Sequence, residues 1–154
     1  MMIFLTNNNY LKSNSITKTK ISISAEAKRL SQKLLLSEAA EERQKLSEAL
    51  LDELCDAAGL SIIQLKILDA NQYHRRAAGR IVMKRYGSYR PSQQAIVIHN
   101  RTAARGQILA AKSFLDTLLH EWLHHYDTYR LGLRSIHSKG FYLRLTDLKE
   151  KLLN

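Results

Sequence analysis

Apolar residues recur at helical spacing along both ends of the chain and alternate at strand spacing only in its middle. The first helical runs cover residues 24–36 and 37–58. Ser24 and Ser37 stand at their starts as expected N-cap residues, and Gly59 stands where the second run should end. We therefore expect two helices, or one bent helix, over this part of the chain.

The middle of the chain predicts a small β-sheet. Residues 61–68 are rich in Ile and Leu, and residues 79–90 alternate between apolar and polar positions. Pro91 opens a turn, after which residues 95–99 form the next apolar run. The last two runs should pair as a hairpin, which gives three strands in all.

Residues 112–130 predict a long helix with two different stripes. His120 and His124 fall together on one side, apart from the apolar residues. A helix buried for structural reasons alone does not need such a polar stripe. The apolar stripe, expected to face the core, consists of Leu115, Leu119, Trp122 and Tyr126, flanked by Leu118 and Leu123.

The residues after this helix predict a break and then a C-terminal helix. Gly132 is a natural helix stop, and Phe141 and Leu145 begin the next run at helical spacing. The expected fold is therefore α+β, with N-terminal helices, a small three-stranded sheet packed on the helix over 112–130, and a C-terminal helix.

Length and composition fit one domain with a real core. The 154 residues are 45% hydrophobic, with few Gly and one Pro, a balance typical of helix-rich globular proteins. Residues 1–23 are rich in Asn, Ser, Thr and Lys. The sequence favours a flexible N-terminal segment there, ahead of a single domain over residues 24–154.

Cysteine content and hydropathy bear on the compartment. The single Cys55 excludes an internal disulfide, and we interpret it as a reduced packing residue. Residues 1–5 are apolar, but they are too few for the core of a signal peptide. No apolar run is long enough to span a membrane. We expect a cytoplasmic protein without a membrane partner.

The net charge of +10 is concentrated in one segment of the chain. Residues 70–115 hold nine basic and no acidic side chains, whereas the rest is nearly balanced. Basic segments favour phosphate backbones, although Lys and Arg at a sheet edge also prevent aggregation. The candidate nucleic-acid-binding residues are Arg75, Arg76, Arg80, Lys84, Arg85 and Arg90, with Tyr73, Tyr86 and Tyr89 as interleaved stacking surfaces.

Residues 120–124 read His-Glu-Trp-Leu-His, the HExxH spacing of zinc-dependent peptidases. Two histidines four apart on a helix point the same way, so both imidazoles can bind one metal ion. Glu121 would then serve as general base for a metal-bound water. Chance also produces this short pattern, so its surroundings decide its meaning.

A catalytic zinc site usually has three protein ligands, so a third ligand must be found. A His six residues after His124 would suit one class of zinc peptidase, but Arg130 occupies that position. Glu150 lies in a Lys- and Glu-rich run typical of a solvated surface. His137 is the better candidate, because the intervening residues suffice to end the helix and return an imidazole to it. Asp127 is the reserve ligand.

Three residues are candidates for supporting roles around the metal. Asp127 would accept a hydrogen bond from a metal-bound imidazole. His125 points away from His124 and is interpreted as a supporting or surface residue. Tyr142 and His125 are both candidates for stabilising an oxyanion, and the sequence does not choose between them.

In these residues the chain resembles the SprT-like metallopeptidases, which include the Spartan proteases. The shared pattern is HExxH at 120–124, then His137, then an aromatic residue four positions on, Phe141. Ser138 stands where the family usually has Gly, and the gap before His137 is slightly shorter than in Spartan. The resemblance covers about residues 60–150. Short bacterial peptidases with a bare HExxH core match equally well.

This resemblance implies a zincin-like fold and one Zn²⁺ bound by His120, His124 and His137. It also points to substrates that are proteins bound to DNA. SprT itself has a Cys-rich zinc ribbon, which we do not expect here because the chain has one cysteine. In the zincin layout, an edge strand beside the metal pairs with the substrate backbone.

Three hypotheses of function follow. The first is a zinc-dependent endopeptidase with protein or peptide substrates, acting on DNA-associated proteins. The second is a basic nucleic-acid-binding module with a structural or degenerate metal site, which would need a fourth protein ligand such as Asp127. The third is a processing peptidase without a nucleic-acid role, whose basic segment attracts acidic protein substrates.

Overall fold

The computed structural model describes residues 2–71, 73–77, 80–85 and 87–154, and side chains over 8–70 and 87–154. Within these ranges the chain is α+β. The helices are α1 (Met2–Ser15), α2 (Ala25–Leu34), α3 (Ala40–Ala58), α4 (Ala111–Tyr129) and α5 (Lys139–Leu153). The strands are β1 (Gln64–Asn71), β2 (Tyr73–Ala77), β3 (Arg80–Arg85), β4 (Gly87–Arg90) and β5 (Ala95–Arg101).

A three-stranded mixed sheet lies against α4, in the order β1-β5-β4. The central strand β5 runs parallel to β1 and antiparallel to β4. A 3-10 turn over Pro91–Gln93 joins β4 to β5, so the predicted hairpin and three-stranded sheet are confirmed. Alternate residues of β5 are buried, among them Ile96 and Ile98, and these face the core.

The described parts of the predicted strand over 79–90 have two different partners. Residues 80–85 form β3, which pairs antiparallel with β2, whereas residues 87–90 form β4, which pairs with β5; residues 79 and 86 lie outside the described residues. The sequence pattern did not predict this change of partner. Gly87 begins β4, and a Cβ there would lie 3.0 Å from the Thr117 methyl group of α4. Glycine therefore lets β4 approach the helix closely.

The structure confirms some of the predicted helix ends and not others. Ser24 caps α2, and Gly59, with φ of 68°, ends α3 in the left-handed conformation. Ser37 does not cap α3, which begins later, at Ala40. Its hydroxyl instead donates to the Leu34 carbonyl at 2.6 Å and accepts from Arg43. The buried guanidinium of Arg43 therefore binds Ser37, which the sequence predicted as the N-cap of α3.

The apolar stripe of α4 forms the centre of the core. Leu119 and Trp122 are fully buried, as are their neighbours on the stripe. The Trp122 indole donates to the sulfur of Cys55 at 3.3 Å, across to α3. Cys55 is buried and free, which confirms it as a packing residue. With one face fixed in the core, the other side of α4 is left for polar residues.

The entry to α4 is held by a buried arginine. Arg43 donates 2.7 Å hydrogen bonds to the Asn100 side chain and to the Leu109 carbonyl, and its guanidinium lies 4.8 Å from the centre of the Phe114 ring. These contacts tie α3 to the end of β5 and to the residues that lead into α4. They fix where the helix begins relative to the sheet.

Residues near the beginning of the chain form a helix and contacts that their polar composition did not predict. Residues 2–15 form α1, and Ser13, Thr19 and Ile21 are buried. The Thr19 backbone and hydroxyl both donate to the Asp147 carboxylate on α5. Thr19 and Asn14 thus use polar groups for hydrogen bonds to α5, which composition alone does not predict. In the described part of the chain, none of the helices has the length and apolarity needed to cross a membrane.

Candidate metal centre

Three imidazoles converge at the polar side of α4. His120 and His124 project from successive turns of α4, and His137 comes from the loop between α4 and α5. The Nε2 atom of His137 lies 3.0 Å from the Nε2 atoms of both other rings. Within the described ranges, these three form the group of potential metal ligands, with ligand atoms within 4.8 Å of one another. The structure therefore brings together the three residues that the sequence singled out.

This donor set fits a tetrahedral metal ion. Zinc bound at about 2.0–2.1 Å by each nitrogen would separate the nitrogens by about 3.4 Å, close to the spacing seen here. Phe141 on the first turn of α5 supports the rings. It stacks on His124 with centroids 4.7 Å apart and meets His120 edge-on at 5.0 Å. The rings are thus held in place by packing.

Burial keeps two of these histidines neutral. It lowers the pKa of His120 to about 4, with His137 and Lys149 contributing in the same direction. It lowers the pKa of His124 to about 3, with His120 and His137 contributing. Neutral imidazoles offer lone pairs, so a metal ion arriving at neutral pH would not have to displace protons from these two rings.

The protonation of His124 is set by a chain of hydrogen bonds behind it. Its Nδ1 atom lies 2.7 Å from the Ser135 hydroxyl, which donates to the Asp127 carboxylate at 3.1 Å. Because the hydroxyl proton goes to Asp127, the Ser135 oxygen accepts from Nδ1–H of His124. That tautomer leaves Nε2 as the lone pair directed at the other two histidines.

Asp127 is held in turn by a buried guanidinium. Arg144 of α5 donates from Nε to Asp127 at 3.1 Å and from Nη2 at 2.7 Å, and both side chains are fully buried. Burial raises the pKa of the Asp127 carboxyl, and Arg144 and Ser135 oppose that rise. Asp127 thus lies outside the group of converging ligand atoms and supports it through Ser135, so its role as reserve ligand is not favoured.

Glu121 and two of the histidines line one cleft. Its volume is about 530 Å³, within the range of ligand sites. Glu121 itself is buried at 7% exposure, on the cleft wall beside His124 and His137. The walls come from β4 and the turn after it, from α4, and from the α4–α5 loop: Gly87, Ser88, Tyr89, Pro91, Glu121, His124, Thr128, Leu133, Arg134, Ser135 and His137.

Strand β4 forms part of the cleft wall. Among the described strands it pairs on one side only, with β5, and its residues Gly87, Ser88 and Tyr89 line the cleft. Tyr89 of this strand places its hydroxyl 2.7 Å from Nδ1 of His125. Burial raises the pKa of the Tyr89 phenol, which therefore stays protonated. The ring is fixed in the cleft wall rather than free to stack on a nucleobase.

The two candidates for oxyanion stabilisation are placed very differently. His125 is fully buried, against Tyr89, so of its two interpretations, supporting or surface residue, the surface one does not hold. Burial also lowers its pKa. Tyr142 is 48% exposed, with its ring centre 6.0 Å from that of His137 and 6.4 Å from that of His120. Tyr142 is therefore the candidate that lies beside two of the converging imidazoles.

The basic segment is described only in part. Arg75 and Arg76 lie in β2, and Arg80, Lys84 and Arg85 lie in β3, but their side chains are outside the described residues. Arg90 is exposed at the end of β4, next to the cleft-lining Pro91. The predicted nucleic-acid surface thus stays a prediction.

Comparison with known proteins adds no family assignment. No family model matches the chain, and no curated protein or solved structure matches it. The resemblance to the SprT-like metallopeptidases therefore rests on the residues themselves.

Sequence reasoning missed Ser135, Arg144 and the role of Tyr89. Ser135 sits two residues before His137, a position from which a loop side chain can reach the same cluster of imidazole rings. Arg144 falls on the apolar face of α5, between Phe141 and Leu145. A lone arginine on an apolar face signals a buried ion pair, and Asp127 on the neighbouring helix is its natural partner.

Proposed function

We propose that this protein is a zinc-dependent metallopeptidase that hydrolyses peptide bonds in protein substrates. The observation that carries the proposal is the convergence of three imidazole Nε2 atoms at the side of a cleft that is lined by Glu121, His124 and His137. Three nitrogen ligands with one open position are typical of catalytic zinc, whereas structural zinc sites are closed by a fourth protein ligand.

His120, His124 and His137 would hold the metal. When bound, zinc would supply Lewis acidity to a water molecule and to the scissile carbonyl. Glu121 accepts the proton of the attacking water and delivers it to the leaving amine. Tyr142, next to His120 and His137, donates a hydrogen bond to the carbonyl oxygen as negative charge develops there.

The substrate binds as an extended segment along β4. Three residues of β4 line the cleft, and among the described strands β4 pairs on one side only, so its backbone can pair with a substrate backbone as an added strand. Pairing of this kind recognises the main chain and not a particular side chain. Unfolded or locally extended proteins are therefore the expected substrates.

A pair of matched variants tests the catalytic assignment. Glu121→Gln should bind one equivalent of zinc but lose cleavage of an unfolded protein such as casein by at least about hundredfold, the usual contribution of a general base. Glu150→Gln makes the same chemical change at an exposed position on α5 and should cleave like the wild type. Cleavage by Glu121→Gln at the wild-type rate would overturn the mechanism.

Proteins associated with DNA are the substrate class that the charge supports. Residues 70–115 carry nine basic and no acidic residues, and this segment includes β4 beside the cleft. DNA would bind through its phosphates, so affinity should fall steeply between about 50 and 200 mM salt. An absence of DNA binding even at the lower salt concentration would remove DNA from the proposal and leave the peptidase standing.

The alternative of a structural metal site in a nucleic-acid-binding module is less well supported. It needs a fourth protein ligand, and Asp127 was the residue considered for that role. Both carboxylate oxygens of Asp127 are bound by Arg144, and one also accepts from Ser135. Both oxygens of Asp127 are therefore already used in hydrogen bonds that support His124 through Ser135.

A further inference from the structure

The loop that carries His137 has little regular structure of its own. Between Gly132, with φ of 66°, and Lys139, where α5 starts, the chain is neither helix nor strand. One backbone bond, from Leu133 to the Asp127 carbonyl, ties the start of this loop to α4. A segment without a ladder of backbone hydrogen bonds keeps one conformation only if other groups bind it.

Those groups come from α1, more than a hundred residues earlier in the chain. The Asn9 side chain binds the backbone of Arg134 twice, donating to its carbonyl at 2.9 Å and accepting from its N–H at 2.8 Å. The Ser13 hydroxyl lies 2.7 Å from that of Ser138, the residue that caps α5. Contacts with α1 thus hold the chain on both sides of His137, at Arg134 before it and at Ser138 after it.

Two further residues of α1 bind the chain just before and just after this loop. Lys12 donates to the Leu131 carbonyl at 2.7 Å, and Asn14 accepts from the backbone of Gly140 at 3.0 Å. A Cβ at Gly140 would lie 2.0 Å from the Ser13 carbonyl oxygen, so glycine is what lets the two helices meet here. The α1 clamp is defined as the four residues that bind the loop and the start of α5: Asn9, Lys12, Ser13 and Asn14.

The same helix also reaches His124. Nη1 of Arg144 donates at 2.6 Å to the carbonyls of Ser13 and Ile16, at the C-terminal end of α1, where positive charge is favourable. The rest of its guanidinium holds Asp127, which binds Ser135 behind His124. Contacts with α1 therefore help to orient two of the three imidazoles, those of His137 and His124.

We propose that α1 positions the metal ligands, so that metal affinity depends on the α1 clamp and on Ser135. This inference rests on the proposed metal site and adds a requirement for the N-terminal helix. Asn9 and Ser135 are positioning residues, because they touch the ligand loop or a ligand ring and not the substrate's reacting atoms. Supporting hydrogen bonds of this kind typically contribute about 10–100-fold to metal affinity.

The test measures the dissociation constants of Zn²⁺ and Co²⁺ in the full chain by competition with a chelator. Asn9→Ala should weaken binding about tenfold. Asn8→Ala is the matched control, because Asn8 is an exposed residue of the same helix whose side chain makes no hydrogen bond among the described residues. Both variants make the same change in helix propensity, so a difference in thermal unfolding between the metal-free forms reports the two hydrogen bonds that Asn9 makes to Arg134.

Two variants of Ser135 give a second test of the proposal, and one of them is expected to rescue metal binding. Ser135→Ala should weaken metal binding and alter the visible spectrum of the Co²⁺ form, whereas Ser135→Thr keeps the hydroxyl and should restore both. Equal affinities for Asn9→Ala, Asn8→Ala and Ser135→Ala, with binding lost in His137→Ala, would overturn the clamp and leave the metal site intact. No metal binding by the wild type would overturn both.

Discussion

Replacing Arg144 by methionine should destabilise the metal-free protein strongly. The guanidinium makes five hydrogen bonds of 2.6–3.2 Å, two to Asp127, two to backbone carbonyls and one to Ser13. Methionine fills much of the volume of the aliphatic stem, so the loss is mainly one of polar contacts. Removing one partner of a buried ion pair typically costs about 3–5 kcal/mol, because the other charge stays buried.

The pH dependence of this loss separates the ion pair from simple packing. In Arg144→Met the Asp127 carboxyl is buried without its partner, so its pKa should rise further above that of the unfolded chain. A group whose folded pKa is raised binds protons more readily when folded, so folding gains stability as pH falls. The difference in unfolding free energy between wild type and variant should therefore be smaller at pH 5 than at pH 7.

Urea unfolding followed by circular dichroism measures both quantities. Arg29→Met is a suitable control, since it removes an exposed ion pair with Glu26 on α2 and should change stability little. A loss below about 1 kcal/mol for Arg144→Met, the size of an ordinary surface contact, would refute the reasoning. So would a loss that is the same at both pH values, because packing alone does not titrate.

Three further outcomes are expected. His137→Ala should lose most of its zinc at one equivalent in native mass spectrometry; unchanged metal content would exclude His137 from the site. Burial lowers the pKa of His120 to about 4 and of His124 to about 3. The metal-free protein should therefore lose stability as pH falls from 6.5 toward these values. In urea titrations, a His124→Ala variant should show a shallower loss. Gly140→Ala should cost about 3 kcal/mol, the upper end of overpacking, because the new methyl meets the Ser13 backbone; a thermal midpoint equal to the wild type would contradict that contact.

The sequence predicted the parts of the site that depend on local periodicity. Helical spacing placed His120 and His124 on one side of α4 and its apolar stripe on the other, and the structure has both arrangements. The Gly132 break and the return of Phe141 gave the position of His137 relative to them. These features depend on residues close along the chain, where the 3.6-residue repeat is decisive.

What the sequence did not predict depends on contacts between distant residues. The polar composition of residues 1–23 suggested a flexible segment, yet Asn9 and Ser13 bind the ligand loop more than a hundred residues away. Likewise, nothing local distinguishes β3 from β4, although only β4 joins the sheet beside α4. Hydrogen-bond partners of this kind are set by the tertiary fold and not by spacing.

The most direct test of the metal centre is X-ray absorption at the zinc edge of the fully loaded protein. The proposed function predicts one zinc per chain with three imidazole nitrogens at about 2.0–2.1 Å and one oxygen that does not come from the protein. A fourth protein ligand in the zinc shell, or failure to bind zinc at one equivalent, would contradict the proposal that this cleft is a catalytic metal site.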